Sequence, residues 1–297
     1  MVPLVALRVS KKYNLLHGPI SNFAFLTYPM TKTKSKSERK PLLFGTVILI
    51  ALITVSLAIN PTEKNKDNDF SSARELIKHI KSTGSKGHLK AFTFIQETIR
   101  FDENGTAQDT STWYEAIRYP KDFRIDFGNT ENGNANINRN DSIYVYRGHK
   151  LVHSGPEIQE FLILEGGLFY YSVEETLQRL TGLGIDTSLF HKSEYKGKPV
   201  YIIGANSMDP SKPQIWLDAE KLHVVRRFSR GKQGELYEVK YDDFKNIEGN
   251  WLETWIEFHV DGKLIQTERY NSIDVDPNLE DRVFDPEVFG SYYWFKS

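Results

Sequence analysis

The chain has 297 residues, 39% hydrophobic and 13% aromatic, enough for a packed core rather than a disordered tail. Its formal net charge of -1 gives no general attraction to nucleic acid, and no basic stripe interleaved with aromatics follows Asn60. It contains no cysteine, which excludes a thiol enzyme, a thiolate metal site and a cysteine-anchored lipoprotein.

Residues 1–40 end in a cluster of Lys32, Lys34, Lys36, Arg39 and Lys40, the side expected to stay in the cytoplasm. They read as a basic cytoplasmic tail or, if Met30 is the true start, as a mis-assigned start followed by a signal n-region. Residues 41–60 carry an apolar run, Leu42–Ile59, without an ionisable side chain. As a helix that run is roughly 27 Å long, enough to cross a bilayer core. Ser56 and Ala58 stand at the small-residue positions that signal peptidase reads. The run is therefore either a signal-peptide core or an uncleaved transmembrane anchor. Both alternatives export the residues after Asn60 to the periplasm or cell envelope, and the second anchors them in the inner membrane through residues 42–59. Residues 61–70 form a charged linker, and residues 71–297 a single domain.

That domain opens with a helix. Ser72 and Glu75 form a capping box, and Leu76, Ile77 and Ile80 recur on one face. The period then changes to two. Strands are expected at Phe92–Phe101, Thr112–Tyr119, Phe123–Phe127, Ile143–Tyr146 and Lys150–Val152, with the Asn- and Gly-rich stretch 128–140 as a flexible loop. Phe123, Ile125 and Phe127 alternate with Arg124 and Asp126, which puts the first three inward and the two charges in water. A short apolar run at Phe161–Leu164 leads through Gly166-Gly167 to the aromatic patch Leu168–Tyr171. A second capping box, Ser172 with Glu175, opens a helix carrying Leu177 and Leu180. Strands follow at Pro199–Gly204, Gln214–Leu217, Leu222–Ser229, Leu236–Tyr241, Trp251–Val260 and Lys263–Asp274. Asp261-Gly262 is a two-residue hairpin turn. About ten antiparallel strands with two short helices define an α+β, mainly antiparallel β class: a large curled sheet or open barrel.

The order of elements and several phrases resemble the LolA/LolB-like outer-membrane lipoprotein-sorting family. The phrases include residues 92–97 (Phe-Thr-Phe-Ile-Gln-Glu), 118–124 (Arg-Tyr-Pro-Lys-Asp-Phe-Arg), 141–146 (Asp-Ser-Ile-Tyr-Val-Tyr) and 214–221 (Gln-Ile-Trp-Leu-Asp-Ala-Glu-Lys). They continue with Val224–Arg227 and close on Phe284-Asp285-Pro286-Glu287, so the resemblance spans most of residues 71–290. It implies an unclosed half β-barrel whose concave apolar face is covered by short helices and holds acyl chains. On that reading Leu76, Ile77, Ile80, Phe123, Ile125, Phe127, Leu177 and Leu180 form the cavity and its lid. Gly166 and Gly182 would give the lid room to swing. The family's basic residue before a turn proline is replaced by Tyr119, and Arg118, one place earlier, is the candidate for a lid-linked basic residue.

No catalytic constellation stands out. His149 and His153 lack the intervening Glu of a zinc protease helix and read as surface residues. Glu253 and Glu257 read as a solvated strip on one strand face. No metal or cofactor site is expected. The implied function is a non-catalytic envelope carrier of lipid or lipoprotein acyl chains, with an inner- or outer-membrane protein as a possible partner. A membrane-anchored sensor of the same fold and a hydrolase using the cavity as its cleft are the alternatives.

Overall fold

The helices begin where serine side chains cap them. Ser72 Oγ accepts the Glu75 N–H at 3.3 Å and opens α1 (Ala73–Gly84). The apolar run after Phe161 winds as a π-helical turn, Leu162–Gly167, that continues into the short α2 (Leu168–Tyr170). Ser172 Oγ accepts the Glu175 N–H at 3.1 Å and opens α3 (Val173–Gly182). The computed structural model describes residues 70–84, 88–292 and 294–295. The tail, apolar run and linker expected over residues 1–69 lie outside the described residues, and among those described no helix is long and apolar enough to cross a membrane.

Six strands precede the helical insert: β1 (Ala91–Phe101), β2 (Ala107–Arg118), β3 (Asp122–Phe127), β4 (Ala135–Arg139), β5 (Ser142–Arg147) and β6 (Lys150–Pro156). After it come β7 (Phe190–Tyr195), β8 (Lys198–Ile203), β9 (Gln214–Asp218), β10 (Val224–Arg230) and β11 (Leu236–Asp242). A small hairpin of β12 (Lys245–Ile247) and β13 (Asn250–Leu252) precedes β14 (Trp255–Val260) and β15 (Lys263–Val275). Among the described residues, thirteen strands form one antiparallel sheet in the order β6-β5-β4-β3-β2-β1-β15-β14-β11-β10-β9-β8-β7. The two halves of the chain are joined where β1 pairs with β15. The terminal strands β6 and β7 do not meet, so the sheet is unclosed. The stretch expected as a loop over 128–140 contains β4, and the strand expected over Trp251–Val260 is broken at Glu253-Thr254, between β13 and β14.

Register carries one face across the sheet. Phe123, Ile125 and Phe127 of β3 stand opposite Ile117, Glu115 and Trp113 of β2. Those stand opposite Phe92, Phe94 and Gln96 of β1, and Gln96 in turn faces Tyr270 of β15. Most of these side chains, together with Ile256 and Phe258 of β14 and Val239 and Tyr241 of β11, join the helices in one hydrophobic cluster. This is the concave face.

The other face corrects an expectation. Arg124 and Asp126 are not in water: they are 2% and 0% exposed and form a bidentate ion pair at 2.7 and 2.9 Å. The chain after β15 folds back over them. Arg124 donates to the Val283 carbonyl at 2.9 Å and lies against the Phe289 ring, while Trp294 Nε1 donates to Asp126 at 2.7 Å. A second small core of Ala116, Ile137, Tyr146, Val283 and Phe284 surrounds this pair. Strand β3 is thus buried on both faces. Alternation in a sequence distinguishes the two faces of a strand, but not which of them a later segment will cover.

Candidate functional site

The apolar part of the site is the contact between helices and sheet. Leu76, Ile77, Ile80 and Leu180 are fully buried, Phe123 and Ile125 nearly so, and Leu177 and Phe127 are half-buried. All eight meet in one cluster with Leu162, Ile163 and Leu164 of the π-helical turn. Each full burial of an Ile or Leu side chain is worth about 1.5–3 kcal/mol, so the cover is held mainly by apolar area. Polar ties sit at its edges. Lys81 at the end of α1 donates to the Phe169 and Tyr171 carbonyls, and exposed Arg74 meets Glu174 of α3. Tyr170 Oη donates to the His88 and Leu89 carbonyls at 2.9 and 3.0 Å.

Two expected features sit differently. Arg118 lies on the opposite, convex face, where it donates to Asp122 and Asp281 and stacks on Phe284; it ties down the returning chain rather than the cover. Gly166 lies within the π-helical turn with the Tyr119 ring pressed against it: a Cβ there would fall 2.0 Å from that ring. Its glycine serves close approach, not a swing of the backbone. Gly182 ends α3, and a Cβ there would meet only Ile158 at 3.9 Å.

The concave side is also less apolar than its alternation implies. Glu115 and Glu268 are 3% and 1% exposed among Gln96, Thr98 and Gln266. Gln266 donates to Glu268 at 2.6 Å and Gln96 to Thr98 at 2.8 Å. Burial pushes the Glu268 carboxyl up to about 8, and burial together with the nearby Glu268 pushes Glu115 well above the usual carboxylate range. Further along, Arg227 of β10 pairs with Glu160 at 2.6 Å, joining the segment before the π-helical turn to the second half of the sheet.

A cavity of about 370 Å³ opens at the margin of the cover. Its walls come from α1 and the chain after it (Thr83, His88), the helical insert (Leu164, Glu165, Phe169), Tyr119, the β9–β10 turn (Lys221, Leu222, His223) and the β12–β13 hairpin (Asn250, Trp251, Leu252). The volume lies in the range of small-molecule pockets, about 300–1,000 Å³. Behind the wall Glu165 meets Glu253, carboxyl to carboxyl. Burial raises both: Glu253 to about 7, and Glu165, with Glu253 beside it, well beyond the ordinary range. Glu253 is 2% exposed, so it is no part of a solvated strip, while Glu257 pairs with His259 at 3.0 Å. A carboxyl pair in hydrogen-bond contact leaves no space for a glycosidic oxygen between its members, which glycosidases need. His88 and His223 are held neutral by burial, each down to about 4, and their rings stack on Phe169 and Phe244 at 3.8 Å. Among the described residues no cluster of side chains suits a metal ion, and His149 and His153 are exposed.

Sequence reasoning missed Glu115, Glu268, Glu165, His88 and His223. The signal was there for three of them. Glu115 and Glu268 interrupt inward-facing positions between Trp113 and Ile117 and between Gln266 and Tyr270, and Glu165 is the one charge in an otherwise apolar stretch over 161–171.

No family model and no curated protein matches the chain. Solved structures do. A domain assigned to outer membrane lipoprotein sorting, from Vibrio parahaemolyticus, superposes with a TM-score of 0.50 at 13% identity, over 73% of this chain and 97% of that one. A LolA superfamily protein from Nitrosomonas europaea gives 0.48 at 12% identity, over 73% and 98%. A DUF1329 family protein from Desulfovibrio piger gives 0.48 at 15% identity, over 73% and 97%. With the Vibrio structure the chain shares its fold, a large unclosed antiparallel sheet.

Proposed function

We propose that the protein is a non-catalytic carrier or binder of lipid-like ligands, lipoprotein acyl chains among them, acting outside the cytoplasm. One observation carries the reading: the stripe Leu76, Ile77, Ile80 and Leu180 closes an unclosed sheet on its apolar concave face, with a cavity at the margin of the contact. A helical cover held on an open sheet mainly by apolar contacts can be displaced by an acyl chain that buries the same area. The exchange is near balance because the chain replaces apolar contact with apolar contact. Each methylene of the ligand contributes about 0.8 kcal/mol against water, so no charged site is required. Export is supported by the basic cluster followed by the uncharged run Leu42–Ile59 in the sequence.

The test is organic extraction of protein purified without detergent, followed by mass spectrometry. A reproducible acyl-chain lipid or lipopeptide, present in stoichiometric amount and absent from a control protein, is the expected result. An extract no richer than that of the control overturns the reading.

A further inference from the structure

The helical insert meets the sheet through two acids. Glu165 sits in the π-helical turn, the one charge in the apolar stretch over 161–171, and is 9% exposed. Glu253 is 2% exposed and precedes Thr254, which is fixed in the sheet: its N–H donates to the Asp242 carbonyl at 3.2 Å and its carbonyl accepts the Tyr270 N–H at 3.0 Å. The two carboxyls lie in contact, and Glu165 Oε1 and Glu253 Oε2 find no donor among the described residues. Two buried carboxylates in contact repel each other, whereas one proton between them makes a hydrogen bond. We propose that this pair is a proton-dependent latch: it holds the insert to the sheet while the carboxyls share a proton, and releases the insert as they ionise. What enters on release rests on the lipid-binding reading above, in which an acyl chain takes up the contact that the insert leaves.

Among the described residues, the groups that face the pair bring no cation to replace that proton. They are Tyr119 after β2, Tyr241 of β11, Tyr270 and Glu268 of β15, and His88, whose ring bonds the Glu165 carbonyl. Burial keeps the three tyrosines and His88 neutral, and Glu268 is itself an acid. Arg227 also faces Tyr241 but is bound by Glu160 at 2.6 Å. The cavity that Glu165 lines adds His223, neutral, and the opposite charges of Lys221 and Glu248; Lys221 pairs with Glu220 at 2.9 Å. A pair of leucines would hold the same contact at every pH; the acids make it conditional. Burial raises Glu253 to about 7 and Glu165 well above the ordinary 4.5, so the closed insert keeps protons that open, hydrated carboxyls have released. The pair's contribution to closure is complete below 4.5 and is lost as pH rises through the folded values. Each proton difference shifts the opening equilibrium about tenfold per pH unit.

Hydrogen exchange of the full chain at pH 7 and pH 8, corrected for the intrinsic pH dependence of amide exchange and read by mass spectrometry, tests the latch. Over this interval both histidines are largely neutral whether the insert is open or closed. Peptides over residues 161–171 are expected to be less protected than those of β8 and β9 at both values, and to lose about tenfold in protection between them. The double variant Glu165→Gln/Glu253→Gln leaves an amide pair that bonds without a titrating proton, and should hold that loss below about twofold. Glu268→Gln should keep it above about fivefold. The latch is overturned, and the lipid reading left standing, by a wild-type loss below about twofold or by equal protection of insert and sheet. A loss that the double variant leaves unchanged, or that Glu268→Gln abolishes, overturns it too. Binding of a pyrene-labelled hexadecanol, an uncharged chain, should rise about tenfold over the same interval. Release of the insert without that rise upholds the latch and counts against the lipid reading.

Discussion

Ile77→Asp is expected to destabilise the domain by about 4 kcal/mol or more, and to raise the binding of an apolar dye several-fold. Ile77 is 0% exposed in the middle of the α1 stripe, flanked by Leu76 and Ile80 and facing the concave cluster. The substitution removes about 2 kcal/mol of apolar burial. It also forces either an ionised carboxylate into that contact or its protonation, at a further cost of several kcal/mol. Undocking α1 relieves the charge, since the helix retains its Ser72 cap and the exposed Arg74–Glu174 pair contributes little. The concave apolar face is then bare, and the dye reports it. Urea unfolding gives the stability and dye titration the exposed area. A variant with the wild-type midpoint and no extra dye binding would mean that α1 does not cover the sheet.

Raising the pH from about 6.5 to 8.5 is expected to lower the melting temperature, which is unusual for a protein with this many surface carboxylates. Glu253 holds its proton up to about 7 and Glu268 up to about 8, against an ordinary value of 4.5, and burial raises Glu115 and Glu165 in the same direction. Between 4.5 and those values the folded state binds more protons than the unfolded chain. Stability therefore falls as pH rises, by about 1.4 kcal/mol per pH unit for each proton difference. The contribution is complete below 4.5 and is lost as pH passes through the folded values. His88 and His223 act with the opposite sign, because burial lowers both to about 4 from 6.5. Stability from these two rises with pH between about 4 and 6.5 and partly cancels the loss from the acids. Above 6.5 the histidines are neutral in both states and the acids act alone. The fall should therefore be steepest between 6.5 and 8. Glu268→Gln, which keeps the amide-rich neighbourhood of Gln96 and Gln266, should flatten it. A melting temperature that is level or rising over that interval would mean the concave carboxyls are ionised in the folded protein.

Much of the architecture was legible because the sheet is regular and its punctuation is local. The two serine caps and the inward-facing alternation through β1, β2 and β3 are written within a few residues each: Ser72 and Ser172 each accept the N–H three residues on, although Glu75 reaches back to Ser71 rather than closing its box. Strand β4 was not legible. Its apolar side chain Ile137 faces the convex core, while Asn136 and Asn138 turn inward opposite Ile125 and Phe123. Asparagine is poor in strands, and pairing with β3 and β5 together with the burial of Ile137 holds this one. Edge strand β7 was hidden similarly: its residues 191–194, His-Lys-Ser-Glu, read as polar because the edge lies largely in water. The burial of Arg124 and Asp126 depends on a segment some 160 residues later in the chain, and no local pattern records that.

The claim on which the account turns is that acyl chains enter between the helical cover and the concave sheet. A palmitoyl probe with a photoreactive diazirine at the chain terminus, bound to the protein, irradiated and mapped by peptide mass spectrometry, tests it directly. Labels are expected on Leu76–Ile80 of α1, on Phe123–Phe127 of β3 and on Leu177–Leu180 of α3, which the structure brings into one cluster. Labels confined to the convex segment from Leu279 to Trp294, or no labelling above that of unfolded protein, would contradict it.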